Sequence, residues 1–304
     1  MVSKFLVSLL LILSLSMTRA VYAMSSTNFL VNWDSVNSGG DDVGSSTNYV
    51  LHDTVGEQGV GVSSSTNFEL RAGYRFGDVE NSIINFSIGV QENATEVSYT
   101  SFSQAGSLVD VTSAASFSVG DFIAVVENKG FSQVVAIGKV TQITGSTLYV
   151  DTWDGIPSSV DSTPSGGDDF VYRLSGSAAQ LGTLTTSTQA TTLSYTDIVS
   201  NVERGYTVYV QSDGALLSGS DTIDAVSDGA VTVGSEEYGL RIFGQYATST
   251  GSDISLTTSA QAVQLRSTYA DGDRIAVVYK AAISTSTASG SYSQQVYYTI
   301  TANF

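Results

Sequence analysis

Short apolar segments that alternate with polar residues, separated by turns rich in glycine, aspartate and serine, recur along most of this 304-residue chain. Alternation with a period of two is typical of β-strands that bury one face. No segment longer than about ten residues keeps the period of 3.6 that an amphipathic helix requires. The pattern therefore predicts an all-β protein.

The composition narrows the possible classes of function. The chain has 29 acidic and 12 basic residues, a formal charge of −17, no cysteine and a single histidine, His52. These counts exclude a disulfide scaffold, a cysteine-ligated metal site, a cysteine nucleophile and an electrostatic nucleic-acid binder. Aromatic residues make up 10% of the chain, which is sufficient for packed cores, so we do not expect wholesale disorder.

The first 23 residues have the pattern of a secretory signal peptide. Lys4 supplies a positive charge, residues 5–15 form a short apolar stretch, and residues 21–23 resemble a small-residue cleavage site. We therefore expect cleavage after Ala23 and a protein that is secreted, either extracellular or at the cell surface. In the mature chain we predict no transmembrane helix and no covalent lipid anchor.

A motif of Ser-Thr-Asn followed by an aromatic residue occurs three times near the N-terminus, at 26–29, 46–49 and 65–68. The copies start 20 and 19 residues apart, and each leads into apolar residues. Repetition at this interval indicates one structural unit used three times. We predict that residues 24–78 form an N-terminal β-repeat segment.

The remaining chain predicts two further modules. Residues 91–176 contain strands with Gly-Asp and Gly-Ser corners, which is the spacing of a small antiparallel β-barrel. Residues 177–304 predict about seven strands, from Leu181–Thr185 to the C-terminal strand, which is an immunoglobulin-like count. On the last strand, alternation places Val296, Tyr298 and Ile300 inward, and Tyr297 and Thr299 outward.

Several motifs resemble those of secreted β-sandwich surface proteins from bacteria of the candidate phyla radiation, a largely uncharacterised group. They are Ala72-Gly73-Tyr74-Arg75, Leu181-Gly182-Thr183-Leu184, Arg204-Gly205-Tyr206, Glu237-Tyr238-Gly239-Leu240 and Gly290-Ser291-Tyr292-Ser293. The resemblance covers the N-terminal repeat and the C-terminal third. It implies that the barrel, 91–176, is inserted into a discontinuous sandwich made of 79–90 plus 177–304. It also implies adhesion or assembly at a cell surface.

The residues that could support catalysis are few. A Ser-His-acid arrangement would need His52, whose position between Leu51 and Asp53 is typical of an exposed strand or turn. Neighbouring acids such as Glu236 and Glu237 point to opposite faces of a strand, whereas a glycosidase pair must converge. We therefore predict that the protein is not an enzyme and has no catalytic residues.

Calcium is the metal that the available oxygen ligands would suit. Candidate ligands are Asp168 and Asp169 in one loop and Asp271 and Asp273 in another, although aspartate is also a common turn residue. No other cofactor is expected. A crosslink between Lys280 and an asparagine, of the kind found in surface sandwich domains, is a separate hypothesis.

Two functions follow from these observations, and they belong to different classes. The first is a secreted structural protein, a subunit of a filament, sheath or surface layer assembled by β-strand complementation. The second is a monomeric adhesin or glycan-binding module, in which exposed aromatic residues stack on a partner. Trp153, flanked by Asp151 and Asp154, is the candidate ligand-binding residue, and its alternative role is a tryptophan at the edge of the barrel core.

A third alternative comes from the C-terminal alternation, which also resembles the closing strand of an outer-membrane β-barrel. Such a barrel needs eight or more long strands with apolar outward faces, about ten residues each, and polar stretches interrupt that pattern here. We therefore place the outer-membrane barrel third. Of the other two functions, we favour assembly over ligand binding. The expected partners are copies of the chain itself or other cell-surface components, and not nucleic acid.

Overall fold

The computed structural model describes residues 82–303 completely and, before them, only the backbone of four short strands. These are β1 (Gly44–Ser45), β2 (Val50–Leu51), β3 (Gly61–Ser64) and β4 (Glu69–Ala72), and they form the antiparallel pairs β1–β2 and β3–β4. The predicted signal peptide and the three Ser-Thr-Asn motifs lie outside the described residues. Strands β2 and β4 begin directly after the second and third motifs. The chain divides into two units, residues 1–81 and 82–304.

The second unit consists of strands and connecting turns. Its strands are β5 (Ile84–Gln91), β6 (Val97–Ser103), β7 (Leu108–Val111), β8 (Phe122–Glu127), β9 (Val134–Thr144), β10 (Thr147–Val150), β11 (Asp154–Gly155), β12 (Phe170–Gly176), β13 (Ala190–Ser200), β14 (Tyr206–Ser212), β15 (Leu216–Ser218), β16 (Asp221–Ile223), β17 (Glu237–Phe243), β18 (Gln261–Arg266), β19 (Ala270–Ala282) and β20 (Val296–Ala302). The described residues contain no α-helix, only two short 3₁₀ turns. The prediction of an all-β fold is confirmed, with large antiparallel sheets.

Six strands pair in a closed ring. The order is β6, β7, β10, β9, β8 and β12, and β12 pairs again with β6, all in the antiparallel sense. The alternating residues that point inward form one core, in which Val109, Ile123 and Leu148 are fully buried. These strands can close on themselves because each buries the apolar face that its period of two creates.

The remaining long strands form two facing sheets. One sheet has the order β5-β13-β19-β17, and the other has the order β18-β14-β20. A second core lies between them and includes Leu240 and Val277 from the first sheet and Val208 and Val263 from the second. This arrangement is that of a β-sandwich. The finer immunoglobulin-like connectivity stays a prediction.

A third core joins the ring to the outer face of the four-stranded sheet. On β19, Val277 faces the sandwich core, whereas Ala276 and Val278 pack with Ile137 and Tyr172 of the ring. Strand β19 is therefore buried on both faces, which explains why its residues 275–279 are apolar in succession rather than alternating. The barrel and the sandwich share this core, and the predicted domain boundaries stay a prediction.

One predicted strand is wrong. Residues Leu181–Thr185 form no strand, although Leu181 and Leu184 still pack against the sandwich core. Gly182 has a φ of +75°, outside the extended region, and the chain turns back between Thr185 and Thr188. The apolar residues of this segment are thus buried by a loop rather than by a strand.

Candidate functional site

Within residues 82–303, the outer edge of strand β20 is open. β20 pairs along its whole length with β14 without a register shift, and among residues 82–303 no strand pairs with its other side. The outer edges of the neighbouring strands are covered. Residues 246–248 hydrogen-bond to β18, and Ala225 and Ile254 form bridges to β17. The backbone groups on the open side of β20 are therefore available to another strand.

The side chains of β20 alternate as the sequence predicted. Val296, Tyr298, Ile300 and Ala302 are half-buried, and Tyr297, Thr299 and Thr301 are exposed. The strand carries no charged residue and no proline, which are the devices by which natural proteins protect an edge. Its inward side chains are only half covered, although they pack against the sandwich core. A further strand alongside β20 would cover them.

Tyr298 holds β20 in the sandwich. Its hydroxyl lies 2.8 Å from the Ser194 hydroxyl and 2.8 Å from the Tyr279 hydroxyl. Burial raises the pKa of Tyr298 well above its ordinary value, and neighbouring Tyr279 raises it further. The phenol is therefore neutral, so it can both donate and accept a hydrogen bond with these two hydroxyl groups. This anchor fixes one side of the strand without occupying its open edge.

A second open edge lies on the first sheet. Residues 84–88 of β5 pair with β13, and β12 pairs only with the end of β5, at Val90 and Gln91. Ile88 is 44% exposed, and the preceding Ile83 is 53% exposed. Within the described part of the chain, this half of β5 has the same free backbone groups as β20.

A cleft lies between the barrel and the loop that follows β17. Its volume is about 760 Å³, within the range of small-molecule binding sites. It is lined by Gln133, Trp153 and Asp154 from the barrel side and by Arg241, Phe243 and Gln245 from β17 and its loop. Trp153, the ligand-binding residue predicted from the sequence, therefore lines a cleft. It also packs against Phe102, with ring centroids 5.0 Å apart.

Apart from Arg241 Nε, which lies in an ion pair with Asp253, two buried donors of the cleft residues have no hydrogen-bond partner in the described part of the chain. Gln133 is 2% exposed, and its Oε1 accepts from the Thr191 hydroxyl at 2.6 Å. Its Nε2 and the Nε1 of Trp153 are buried, and neither has a hydrogen-bond partner within residues 82–303. A buried unpaired donor costs about 1–3 kcal/mol, so these groups favour a ligand or an ordered water.

The carboxylate of Asp154 adds an acceptor. Burial raises the pKa of Asp154 to about 6, and the charge of Arg274, whose Nη1 lies 3.6 Å from Oδ2, only partly opposes this effect. Asp151 behaves in the opposite way. Burial would raise its pKa, but hydrogen bonds from Arg274 and from two backbone N–H groups outweigh burial and lower it. The two neighbouring carboxylates therefore differ in their affinity for a proton.

Arg241, a cation that lines the cleft, is bound to groups of the protein. Arg241 Nε lies 3.1 Å from Asp253 Oδ1, and its Nη2 donates to the carbonyl oxygen of Gly251. Lys280 also pairs with Asp253, with Nζ 3.1 Å from Oδ1. Lys280 thus pairs with an aspartate carboxylate, and its crosslink to an asparagine stays a prediction. Asp253 pairs with both cations in a nearly solvent-free position.

Two of the four predicted calcium ligands, Asp169 and Asp273, have other partners. Asp169 closes a loop by accepting from the N–H groups of Asn128 at 3.0 Å and Gly166 at 3.2 Å. Asp273 is buried, accepts from the Tyr206 hydroxyl at 2.9 Å and pairs with Arg266. Within the described residues, no group of three or more His, Cys, Asp or Glu side chains could hold a metal ion. Calcium binding at Asp168, Asp169, Asp271 or Asp273 remains a prediction.

His52 lies outside the described residues. Apart from Trp153 and its neighbour Asp154, the residues of the cleft were not found by sequence reasoning. Gln133 and Arg241 occur in unrelated segments, and nothing in the sequence indicates that they meet. The only available signal was the Asp-Thr-Trp-Asp segment, which marked Trp153.

In comparisons with known proteins, the chain matches no family model, and no curated sequence and no solved structure is significantly similar to it. The resemblance to surface proteins of the candidate phyla radiation therefore stays a prediction. Across the described residues, no helix is both long enough and apolar enough to span a membrane.

Proposed function

We propose that the protein is a secreted, non-enzymatic structural protein of the cell surface that assembles with copies of itself by β-strand addition. The observation that carries this proposal is the open edge of β20, which is uncharged, has no register shift and leaves its inward side chains half covered. Strand addition supplies main-chain hydrogen bonds and needs no special side chains. The predicted signal peptide supports the location.

The occupant that fits this edge is β20 of a second copy. Antiparallel pairing about Thr299 would place Tyr298 opposite Ile300 and Tyr297 opposite Thr301. These are aromatic and β-branched cross-strand pairs, which stabilise sheets. No like charges would meet, and both inward rows would lie on one face because residues with the same parity pair. The two three-stranded sheets would become one sheet of six strands with two-fold symmetry.

The open half of β5 extends the proposal from a dimer to a polymer. A two-fold contact at β20 uses up that edge, but a second two-fold contact through residues 84–88 would join each dimer to the next. Alternating contacts of two kinds generate an open assembly rather than a closed one. A filament or sheath is therefore the assembly that two open edges support.

The test is the oligomeric state of the full chain by light scattering after size exclusion, with negative-stain electron microscopy. Thr299→Lys would place two lysines face to face, and Thr299→Glu would do the same with two carboxylates. Each variant alone should fail to pair through β20. An equimolar mixture should recover pairing, because lysine then faces glutamate. Thr222→Lys, an exposed threonine on β16, is the matched control and should assemble normally.

The mixture separates the proposal from a general effect of charge. A monomeric parent, or Thr299 variants that associate as the parent does, would contradict pairing through β20. If each single variant fails to associate and the mixture does not recover association, the register about Thr299 is contradicted.

A further inference from the structure

We propose that the cleft between the barrel and the loop after β17 binds a neutral, polyhydroxylated ring, such as a hexose residue of a glycan. This inference goes beyond self-assembly and does not depend on it, because no residue of β20 lines the cleft. It rests on an aromatic side chain, two unpartnered donors and one carboxylate that line the same cleft or are buried beside it.

Gln133 provides the most specific group. Its side chain is 2% exposed, and the bond from Thr191 to Oε1 fixes the orientation of the amide. The amide Nε2 is then left without a partner in the described part of the chain. A fixed, buried N–H₂ donor in a cleft wall requires an acceptor, and a hydroxyl oxygen is one.

Trp153 provides both an apolar surface and a donor. Packing against Phe102 limits the movement of the indole, so its ring is already in place before a ligand arrives. An aromatic ring with a polar tip suits a partner that has an apolar C–H face and polar edges. Sugar rings have this combination of surfaces.

Asp154 and Arg241 determine the charge of the ligand. Asp154 provides an acceptor for a hydroxyl proton, and its Oδ2 has no hydrogen-bond donor among the described residues. Arg241 is engaged within the protein, with Nε 3.1 Å from Asp253 Oδ1 and Nη2 donating to the Gly251 carbonyl oxygen, and the Asp154 carboxylate in the same lining repels an anion. A hydroxyl both donates and accepts, so a ring bearing several hydroxyls offers the kind of partner that the amide, the indole and the carboxylate each require.

The experiment uses the full chain with Trp33→Phe, which leaves Trp153 as the only tryptophan. The probes are glucose, galactose, mannose and N-acetylglucosamine, at concentrations up to about 50 mM, which would detect a Kd in the millimolar range. We expect at least one sugar to change the emission of Trp153 and to give saturation-transfer signals in NMR spectra. The same signals should be absent with an equal concentration of glycerol, a polyhydroxyl without a ring.

Variants of the cleft then locate the binding. Gln133→Met removes the amide donor, and Trp153→Phe removes the indole N–H while it keeps an aromatic ring. Each substitution should raise the Kd for the sugar about tenfold or more, as measured by saturation transfer. Gln104→Met changes an exposed glutamine of the barrel and is the matched control. Thermal unfolding by circular dichroism identifies the variants that remain folded.

Two results would overturn the proposal. One is the absence of any emission change or saturation transfer with all four sugars. The other is a folded Gln133→Met or Trp153→Phe protein that binds as tightly as the control. If one variant fails to fold, the other decides the matter. Neither result bears on the pairing of β20, which is measured by oligomeric state.

Discussion

Arg274 and Asp151, which are 123 residues apart, form a bidentate ion pair that joins the sandwich to the barrel. Arg274 Nη2 donates to Oδ2 at 2.5 Å, and Nη1 donates to Oδ1 at 2.9 Å. The guanidinium is 5% exposed, lies over the ring of Phe122 and also pairs with Asp197 at 2.8 Å. Burial alone would lower the pKa of Arg274, but the carboxylates raise it, so the cation persists at every accessible pH.

Arg274→Ala should strongly destabilise the fold. Without the guanidinium, the carboxylates of Asp151 and Asp197 would face each other, partly buried and without a cation. Breaking a buried charge network in this way costs about 3–5 kcal/mol. Urea denaturation of the full chain measures the free energy of unfolding. Arg204→Ala removes an exposed arginine and should change that free energy by less than about 0.5 kcal/mol. Similar values for both variants would refute the structural role of Arg274.

Asp154→Asn should stabilise the protein near neutral pH. Burial raises the pKa of Asp154 to about 6, above its ordinary value, so the folded protein holds this proton more tightly than the unfolded chain does. The contribution of Asp154 to the free energy of unfolding is therefore fully present below about pH 4. It is lost as the pH rises through about 6. We expect the free energy of unfolding of the variant to exceed that of the parent by about 3 kcal/mol at about pH 7.5 and to be nearly the same at about pH 4. A difference independent of pH, measured by urea denaturation, would contradict this assignment.

Asp253 and Lys280 should respond unequally to substitution. Asp253 pairs with Lys280 and Arg241, so Asp253→Ala would leave two cations together, one of them almost fully buried. We expect a loss of about 3–5 kcal/mol. In Lys280→Met, Asp253 keeps its ion pair with Arg241 and its hydrogen bond from the N–H of Val231. We therefore expect the free energy of unfolding to fall by about 1 kcal/mol or less. Chemical denaturation of both variants tests the order, and a larger loss for Lys280→Met would reverse our account.

Features with a local cause could be predicted from the sequence. The alternation of β20 follows from a period of two, and the structure has Tyr297 and Thr299 exposed and Tyr298 half-buried, as expected. The failure at Leu181–Thr185 also has a local cause, because the positive φ of Gly182 breaks the extended chain. Apolar residues there indicated burial correctly but not the conformation that achieves it.

The cleft could not be predicted in the same way. Gln133, Asp154 and Arg241 meet only because the barrel packs on the outer face of the four-stranded sheet. That packing depends on which face of β19 meets the barrel. Alternation normally identifies the buried face of a strand, but β19 is buried on both faces and does not alternate. The open edge of β20 likewise depends on strand order, which residue patterns do not specify.

Added NaCl should strengthen assembly through β20. Each chain carries a formal charge of −17, so two copies repel, whereas the proposed contact itself contains no charged residue. The Debye length falls from about 30 Å at 0.01 M to about 3 Å at 1 M, which screens the repulsion between distant charges. The Kd for association, measured by sedimentation or light scattering across this range, should therefore fall. An interface held by ion pairs would weaken instead, so dissociation at high salt would argue against the uncharged edge of β20 as the contact.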